Sequence, residues 1–355
     1  MSQLIYESYS PKGIVKNKNI SNSSRLIFNE AEIFGVDWKV IPCTQLIELT
    51  YKGKKQVFYH QVPTSTSALA KYCCNNKKVT TDLLYSCGVS VPKGFKVKKD
   101  STDKYLLSIY ENLQKPLVVK PSDGTWGENI TVDVVDFDKY LEAVDFALEY
   151  PGKKNPTAIV EEMFIGDEYR ILVTREKVVG VLYRRPASVV GDGVSSIKKL
   201  VKEENSNPIR GPKNGTTSHL KIRMDKRMLK LLEENNMDFK SVPKKGDRVY
   251  LRRVSNVSQG GTAIDFTDKV HQSVKEIALK AINAVPGLSF AGIDFLSKDI
   301  TKKQTKDSYI IIEINDSPGF DIHDFPYKGK NRHAAREFLF LMFPELRDLH
   351  PQKQN

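Results

Sequence analysis

A strand-like segment near the end of the chain, Tyr309–Asn315, carries one carboxylate and one amide among apolar residues. Alternation along a strand puts Glu313 and Asn315 on one face. Ile312 and Ile314 then point to the other face, toward the core. The segment therefore predicts two oxygen-bearing side chains that project side by side from a buried sheet.

A second segment, 292–295, repeats this layout and places Asp294 opposite its apolar neighbours. If the two strands pair, the side chains of Asp294, Glu313 and Asn315 converge on one point. Magnesium favours such oxygen ligands and completes its shell with water and nucleotide phosphates. The sequence therefore predicts a magnesium site, against the alternative of two edge strands whose acids face solvent.

A lysine followed by a glycine-rich loop is a candidate phosphate site. Residues 116–120 are a short apolar run of the kind found in buried strands, and Lys120 ends it. In the loop 122–129 that follows, Gly124 and Gly127 would let backbone N–H groups approach phosphate oxygens closely. The loop lacks the G-x-x-x-x-G-K-[ST] pattern of a Walker A sequence. The alternative is an ordinary turn after a strand.

An acidic stretch after a predicted strand at 157–160 is a candidate site for a nucleoside. A strand that leaves one subdomain for another offers free backbone groups to the edge of an adenine, here near Glu161 and Glu162. Glu168 could accept hydrogen bonds from ribose hydroxyls. The alternative is a plain charged linker.

Helix and strand patterns alternate around these residues. The predicted helices cover 26–33, a segment from Lys78 that ends at Gly88, and 138–149. The predicted strands cover 38–41, 56–59, 116–120, 130–135, 157–160, 169–173, 178–183, 249–251, 289–295 and 309–315. A polar, helix-prone insertion lies between about residues 187 and 245. This mixture of helices with antiparallel-looking strands predicts an α+β protein.

Composition excludes little beyond a membrane protein. The 355 residues are 40% hydrophobic and 28% charged, and no apolar run is long enough to span a membrane. The net charge of +12 comes from lysines spread along the chain rather than from a basic tract, and this charge alone does not decide between a nucleic-acid partner and nucleotide or carboxylate substrates. Because of the candidate metal residues Asp294, Glu313 and Asn315, we do not expect nucleic acid as a partner. The first residues lack the layout of a signal peptide, which predicts a cytoplasmic location.

The candidate sites occur in one order on one chain, and in that combination the sequence resembles the ATP-grasp superfamily. The resemblance is strongest to the ATP-grasp modules of cyanophycin synthetase and the bifunctional glutathione synthetases, and it covers roughly residues 78–344. The segments that carry it are VVKPSDGTWGENI, IVEEMFIGDEYRILV, RRPASVVGDGVSSIKKLV, SVPKKGDRVYLRRVSN, SNVSQGGTAIDFTD and GIDF with IIEINDSPGF.

The resemblance implies an ATP-grasp fold, in which two α+β subdomains clasp a nucleotide. Residues 1–75 would form a small α/β unit before the ATP-grasp region. Residues 76–160 would form the first subdomain with the glycine-rich loop. Residues 161–355 would form the second subdomain, which carries the metal site and the insertion at about 187–245.

The resemblance also implies roles for individual residues. Lys78 matches the first nucleotide lysine and Lys120 the second. The residues implied to bind ATP are Lys78, Lys120, Ser122, Gly124, Gly127, Glu161, Glu162, Phe164 and Glu168. Those implied to bind the metal are Asp294, Glu313 and Asn315.

The implied catalytic residues are Arg184, Asn256 and one of two adjacent arginines. In simpler members of the superfamily the arginine stands two residues before the asparagine, where this chain has Val254. Arg252 and Arg253 therefore remain alternatives. Two histidines, His219 and His323, have no required part in this chemistry.

The activity implied is that of an ATP-dependent ligase, which joins a carboxylate to an amine through an acyl phosphate and releases ADP. The substrates would be an amino acid or small peptide, with ATP and Mg²⁺, for which Mn²⁺ could substitute. A glutathione-synthetase-like ligase and a non-catalytic ATP-binding protein are the alternatives. Proteins of this superfamily are often homo-oligomers, but the sequence shows no interface signature, so the oligomeric state stays open.

Overall fold

The structure is a computed structural model that describes residues 20–42, 44–122, 128–151, 156–212 and 215–349. The predicted loop residues Gly124 and Gly127 lie outside these ranges. The helices described are α1 (Asn22–Ile33), α2 (Ala68–Asn75), α3 (Lys77–Ser86), α4 (Asp103–Asn112), α5 (Phe137–Leu148), α6 (Ile197–Glu204), α7 (Lys226–Glu234), α8 (Gln272–Ala284), α9 (Asp321–Asp324) and α10 (Ala334–Met342). The strands described are β1 (Asp37–Val40), β2 (Leu46–Tyr51), β3 (Lys54–Tyr59), β4 (Val62–Pro63), β5 (Gly94–Lys98), β6 (Leu117–Pro121), β7 (Thr131–Val134), β8 (Thr157–Glu162), β9 (Asp167–Thr174), β10 (Val178–Arg185), β11 (Ser188–Val190), β12 (Arg210–Gly211), β13 (His219–Leu220), β14 (Arg248–Tyr250), β15 (Thr262–Asp265), β16 (Phe290–Ser297) and β17 (Tyr309–Asn315).

The described strands form three larger antiparallel sheets. The N-terminal sheet has the order β1-β2-β3-β4, the small sheet β5-β8-β6-β7, and the central sheet β15-β10-β9-β16-β17. β11 and β14 form a short antiparallel ribbon, and β12 and β13 a short parallel one. This mixture of helices and antiparallel sheets confirms the predicted α+β class. None of the described helices is long and apolar enough to cross a membrane.

The N-terminal unit does not build its core alone. Its predicted helix and two strands correspond to α1, β1 and β3, while β2, which pairs with both strands, was not predicted. The ring of Phe338 in α10 lies 5.5 Å from that of Phe58 in β3. Phe338 also lies 5.3 Å from Phe290 of the central sheet. Residues from the two ends of the chain therefore share one core.

The small sheet has its own core beneath α4 and α5. Val119 and Val160 from neighbouring strands pack there with Ile109 and Tyr140 from the two helices. β8 ends at Glu162, and the next strand of the chain, β9, belongs to the central sheet. The segment 163–166 is therefore the crossing from one sheet to the other.

The central sheet is covered on one face by α2, α3 and α8. Thr80 and Leu84 of α3 are buried, and the backbone N–H of Ile311 in β17 donates to the carbonyl of Ser90. The predicted boundary at residue 76 would assign α3 to the first subdomain. In the structure α3 packs on the central sheet, and the small sheet begins only with β5 at Gly94.

The insertion has a core of its own. Its first strand, β11, and its last strand, β14, form the antiparallel ribbon, in which Val189 pairs with Val249. Ile197 of α6 and Met228 of α7 pack against these strands. Asp225 caps α7 by accepting a hydrogen bond from the backbone N–H of Met228 at 3.0 Å. The predicted helical insertion is therefore a small compact lobe of helices and short strands.

Replacing Phe338 with alanine tests the shared core. Phe338 is fully buried among aromatic rings, so Phe338→Ala should lower the free energy of unfolding by about 3–5 kcal/mol. The measurement is urea denaturation followed by circular dichroism. Tyr85→Ala is the matched control, because Tyr85 is 74% exposed and its loss should change stability by less than about 0.5 kcal/mol. Equal losses in both variants would contradict a core built around α10.

Candidate active site

A cleft of about 1190 Å³ lies where the small sheet, the central sheet and the insertion meet. Most of the predicted site residues line it, although they are scattered over more than 190 positions of the sequence. The predicted residues in the lining are Lys120, Glu161, Glu162, Phe164, Glu168, Arg184, Arg252, Arg253, Asn256, Asp294, Glu313 and Asn315.

Asp294 and Glu313 face each other across two adjacent strands. β16 pairs antiparallel with β17, and the register sets Asp294 opposite Glu313 and Gly292 opposite Asn315. The next pair is Phe295 with Ile311, so the strand contains a bulge at residue 312. The three predicted oxygen donors therefore lie on one side of the sheet, as the sequence required.

The bulge corrects one prediction. Strict alternation places Ile312 in the core, but the structure places it in the lining of the cleft beside Glu313. Ile314 is buried as predicted, and Ile311 is buried in place of Ile312. A bulge shifts the phase of alternation by one residue, and this shift cannot be read from an unbroken apolar run.

The carboxyl of Glu313 is in an electrostatically unfavourable position. Burial and the negative charge of Asp294 raise its pKa, and Lys77, Arg170 and Lys120 lower it only in part. A divalent cation would offset the repulsion between the two carboxylates, so these side chains fit such an ion.

A cation at this point would need further ligands. The described residues contain no cluster of three or more His, Cys, Asp or Glu side chains arranged to hold a metal. Asp294 and Glu313 supply two carboxylates, and Asn315 supplies an amide oxygen. Magnesium commonly takes one or two carboxylates together with substrate phosphates, so this donor set suits it.

Two arginines flank Asp294. The Nε of Arg170 lies 2.7 Å from Oδ1 of Asp294, and the Nη1 of Arg184 lies 3.4 Å from the same oxygen. Arg184 also pairs with Glu168 at 2.9 Å. Burial would lower the pKa of Arg184, but Asp294 and Glu168 outweigh burial and raise it. Arg184 therefore stays charged within the cleft.

Arg170 is a site residue that the sequence analysis missed. It is the register partner of Asp294 on β9 and lines the cleft. A Cβ on Gly292 would lie 2.7 Å from its Nη1, so the close approach of Arg170 requires glycine there. Strand alternation could have indicated it: Tyr169 and Ile171 are buried, so Arg170 between them points to the opposite face of the sheet, toward the cleft.

Lys120 points into the cleft from the end of β6. Its side chain is 11% exposed, and its Nζ lies 2.5 Å from Oε2 of Glu161 on the neighbouring strand β8. Ser122 follows, and its backbone N–H donates to the carbonyl of Thr157 at 2.9 Å. Ser122 is therefore anchored to β8 close to Lys120.

The structure separates the two lysines at the start of α3. Lys77 lines the cleft, whereas Lys78 is not part of its lining. Lys78 instead pairs with Asp82, one turn further along the exposed face of the helix. Adjacent residues on a helix differ by about 100° in direction, so only one of the two can face the cleft. Lys77, and not the predicted Lys78, therefore faces the cleft, and a nucleotide-binding role for a lysine at this point stays a prediction.

The crossing segment between the two sheets forms one wall of the cleft. Glu162 and Phe164 both line it, and the backbone N–H of Met163 donates to the carbonyl of Pro116 at 2.9 Å. A Cβ on Gly166 would lie 2.8 Å from the ring of Phe164, so glycine lets the chain turn tightly beneath this ring.

Glu168 and Asn256 are joined through the segment before the 3₁₀ turn Val257–Gln259. The hydroxyl of Ser255 donates to Glu168. The side-chain oxygen of Asn256 accepts from the backbone N–H of Ser258 at 3.0 Å and from its hydroxyl at 2.8 Å. Asn256 therefore shapes the turn that ends at Gly260, whose φ of 93° favours glycine.

Arg252 and Arg253 both line the cleft but differ in their partners. Arg252 is buried, lies 2.7 Å from Asp225 and donates to the carbonyls of Leu251 and Arg223. Arg253 is half exposed and pairs with Glu234 of α7. Both arginines thus also hold the insertion in place.

The histidines named in the sequence analysis lie in the core. The backbone N–H of Ala263 donates to Nε2 of His219 at 3.1 Å, which leaves Nδ1 to donate to Ser218. Burial, followed by the charge of a nearby arginine, lowers the pKa of His219 to about 3 and that of His323 to about 3. Both rings are therefore neutral near pH 7.

The sheets, the cleft between them and its charged lining together define a protein of the ATP-grasp fold, as the sequence predicted. The bifunctional glutathione synthetase from Pasteurella multocida is a solved structure of this kind, with a TM-score of 0.73 and 29% identity over 97% of this chain and 46% of that chain. The glutathione biosynthesis bifunctional protein GshAB of Clostridium perfringens (strain 13 / Type A) is 34% identical over 332 residues. Cyanophycin synthetase of Geminocystis herdmanii (strain PCC 6308) is 32% identical over 354 residues.

These similarities confirm the resemblance on which the sequence analysis relied. They cover 93% of this chain with the Clostridium protein and 99% with the Geminocystis protein. The chain spans only 42% and 39% of those two relatives. No protein-family model matches the chain.

The repulsion between Asp294 and Glu313 can be measured as stability. Because the folded protein raises the pKa of Glu313, ionisation of this carboxyl destabilises the fold as pH rises above the ordinary glutamate range. Glu313→Gln should therefore raise the midpoint of thermal unfolding at about pH 8, and the gain should shrink toward about pH 4, where the carboxyl is protonated. Calorimetry without nucleotide or metal measures this, with the exposed Glu111→Gln as control. A gain that does not change with pH would contradict the electrostatic explanation.

Proposed function

We propose that the protein is an ATP-dependent carboxylate–amine ligase that forms an amide bond through an acyl phosphate and releases ADP. The observation that carries this proposal is the pairing of β16 with β17, which sets Asp294 opposite Glu313 with Asn315 on the same side. These oxygen donors share one cleft with Lys77 and Lys120. Such a combination suits a nucleoside triphosphate, whose phosphates need both a divalent cation and ammonium groups.

The proposed nucleotide lies along the crossing between the small and central sheets. Its adenine edge meets the backbone of residues 161–164, and its ribose meets Glu168. Lys77 and Lys120 approach the phosphates from opposite walls of the cleft.

The two steps convert a poor acyl donor into a good one. A carboxylate oxygen of the acid attacks the γ-phosphorus of ATP, the bond from that phosphorus to the β,γ-bridging oxygen breaks, and ADP leaves. The amine nitrogen then attacks the acyl carbon of the acyl phosphate, phosphate leaves, and the nitrogen loses a proton. The site contributes mainly positioning and neutralisation of charge.

The arginines of the cleft are placed to neutralise the phosphoryl group during transfer. Arg170 and Arg184 both lie against Asp294, and a guanidinium can bind a phosphate through two parallel hydrogen bonds. Asn256 shapes the turn that would meet the acid, together with either Arg252 or Arg253. This assignment adds Arg170 to the residues that the sequence predicted.

We propose Mg²⁺ as the resident cation, held by Asp294, Glu313 and Asn315. When bound, the ion would offset the negative charge of the phosphates. The chain's own contribution is to hold two carboxylates and an amide on one side of a sheet. Mn²⁺ shares the preference for oxygen ligands and would substitute.

The acid and the amine are proposed to be an amino acid or a small peptide. The named activities of the relatives, glutathione biosynthesis and cyanophycin synthesis, support this class, and a glutathione-synthetase-like ligase is one variant of it. A reaction that consumes ATP needs a compartment that supplies it, so we propose the cytoplasm as its location. A protein that binds ATP without catalysis would retain nucleotide affinity but release no ADP with any pair of substrates.

The two adjacent lysines of α3 provide a matched test of the nucleotide site. Lys77→Ala should weaken ATP affinity by about tenfold or more, because it removes a cation from the phosphate wall. Lys78→Ala should leave affinity unchanged, because Lys78 pairs with Asp82 outside the cleft. Isothermal titration with ATP and MgCl₂ measures both. The reverse pattern would support the original sequence prediction of Lys78 and overturn the assignment of Lys77.

Trapping of the intermediate tests the chemistry. With ATP, MgCl₂ and an acid that supports ADP release, hydroxylamine should attack the acyl carbon and yield a stable hydroxamate, detected by mass spectrometry. Glu313→Ala should lower both ADP release and hydroxamate formation by at least about 100-fold, since charge neutralisation at the phosphates is lost. ADP release without hydroxamate, across the acids that stimulate it, would argue against acyl activation.

A further inference from the structure

Two walls of the cleft belong to parts of the chain that have separate cores. β7 belongs to the small sheet, and α7 belongs to the insertion. Val132 and Asp133 line the cleft from β7, while Leu231 and Asn235 line it from α7. The proposed ligase steps use none of these four residues.

β7 contains a bulge that directs Asp133 toward the cleft. The register between β6 and β7 is set by two pairs, Leu117 with Val134 and Val119 with Thr131. Three steps along β7 therefore match two steps along β6, which leaves one extra residue in β7. As a result the consecutive residues 132 and 133 both line the cleft, whereas regular alternation would allow only one of them to do so.

The backbone of Asp133 is in the left-handed conformation, with a φ of 58°. A bulge residue in this conformation is commonly glycine, because a Cβ makes the conformation unfavourable. Asp and Asn tolerate it better than other residues that carry a side chain. Unfavourable conformations of this kind are concentrated where a side chain has a function. The chain therefore keeps a carboxylate at a position where glycine would suit the backbone better.

The carboxylate of Asp133 meets an arginine from the other side of the cleft. Its Oδ2 lies 3.7 Å from the Nη1 of Arg253, and the Nη2 of Arg253 pairs with Glu234 of α7. Among the described residues, the other ion pairs of the small sheet and its helices join residues 93–162 to one another. The contact between Asp133 and Arg253 is therefore the ion pair that links the small sheet to the insertion.

Of the two adjacent arginines, only Arg253 is available for this contact. Arg252 is 8% exposed, and it is bound to Asp225 and to two backbone carbonyls. The side chain of Arg253 is 53% exposed, and Glu234 holds it on the insertion. A guanidinium has five N–H donors, so Arg253 can bind the carboxylates of Glu234 and Asp133 at the same time.

The overall charges of the two parts favour their approach. Residues 94–162 include thirteen acidic and nine basic residues, whereas residues 188–250, from β11 to β14, include eight acidic and fourteen basic residues. Opposite net charges attract each other, and salt screens this attraction beyond about 8 Å at physiological ionic strength. Asp133 and Arg253 lie well within that distance.

We propose that Asp133 is a positioning residue, which holds the small sheet closed on the insertion through its ion pair with Arg253. In the open state this ion pair is broken and the cleft is wider. An exposed ion pair contributes little free energy, so it shifts the equilibrium toward the closed state by about two- to fivefold. Closure itself does not depend on the ligase reaction, but its effect on a bound nucleotide rests on the proposed function.

Distance measurements on the full chain without any ligand test the closure. Spin labels on genetically encoded non-canonical residues at the exposed positions Glu142 of α5 and Lys202 of α6 report the separation by double electron–electron resonance. Asp133→Asn keeps the size and the tolerance of positive φ but removes the charge. The ratio of the shorter to the longer distance should therefore fall by about two- to fivefold. Asp145→Asn, an exposed change on α5, is the matched control and should leave the ratio unchanged.

A second substitution shows whether the ion pair is responsible. Arg253→Gln should give the same shift, and combining it with Asp133→Asn should give no further shift, because both changes remove one interaction. Raising KCl from about 0.05 M to about 0.5 M should move the wild-type distribution toward that of Asp133→Asn, since salt screens exposed charges. Unchanged distances in both variants, additive shifts in the double variant, or an equal shift in Asp145→Asn would overturn the proposal.

The rate of nucleotide release tests the consequence for the reaction. A fluorescent ATP analogue with MgCl₂, followed by stopped flow, should leave Asp133→Asn about two- to fivefold faster than it leaves the wild type. Its release from Asp145→Asn should be unchanged. Equal rates from Asp133→Asn and the wild type would overturn the effect of closure on the nucleotide. Failure of the wild type to bind the analogue would contradict the proposed function instead, while the distance measurements would still decide the closure.

Discussion

The structure depends on the placement of two carboxylates side by side at a partly dehydrated position. Asp294 and Glu313 face each other across paired strands, and removing both from water while they repel each other is unfavourable. Neighbouring cations make the arrangement tolerable, with Arg170 nearest to Asp294 at 2.7 Å. The pair of carboxylates therefore lowers the stability of the fold, and it concentrates negative charge where a divalent cation and the phosphates bound to it could lie.

Two backbone features permit this concentration of charge. The bulge at residue 312 keeps Glu313 on the side of the cleft after a stretch of strand whose alternation would otherwise turn it away. Gly292 leaves room for the guanidinium of Arg170, because any Cβ there would collide with it. Both features are local departures from regular strand structure, and both lie beside the candidate site, where such departures are common.

The insertion is tied to the rest of the cleft by two arginines. Arg253 pairs with Glu234 of the insertion and lies 3.7 Å from Asp133 of the small sheet. Arg210 donates to the carbonyl of Gly260 at 3.0 Å and pairs with Glu204 of α6. The turn at Gly260, which Asn256 shapes, is therefore held by the insertion as well as by its own hydrogen bonds.

The sequence by itself determined the α+β class, the ATP-grasp fold, most of the strands and most of the cleft residues. Strand alternation is local, so Glu313 and Asn315 could be placed on one face without any knowledge of the rest of the chain. That Asp294 joins them depended on the pairing of β16 with β17, which the structure shows. Tertiary structure decided what depends on distant partners or on small shifts of phase. It placed Lys77 rather than Lys78 in the lining of the cleft, because the direction of a residue on a helix depends on how that helix packs. It added Arg170, because an arginine becomes a site residue only when the register of two strands brings it to Asp294. It also determined that the N-terminal sheet packs against α10. A sheet with one apolar face is stabilised by whichever apolar element the fold packs against that face, and this element can be distant in the sequence.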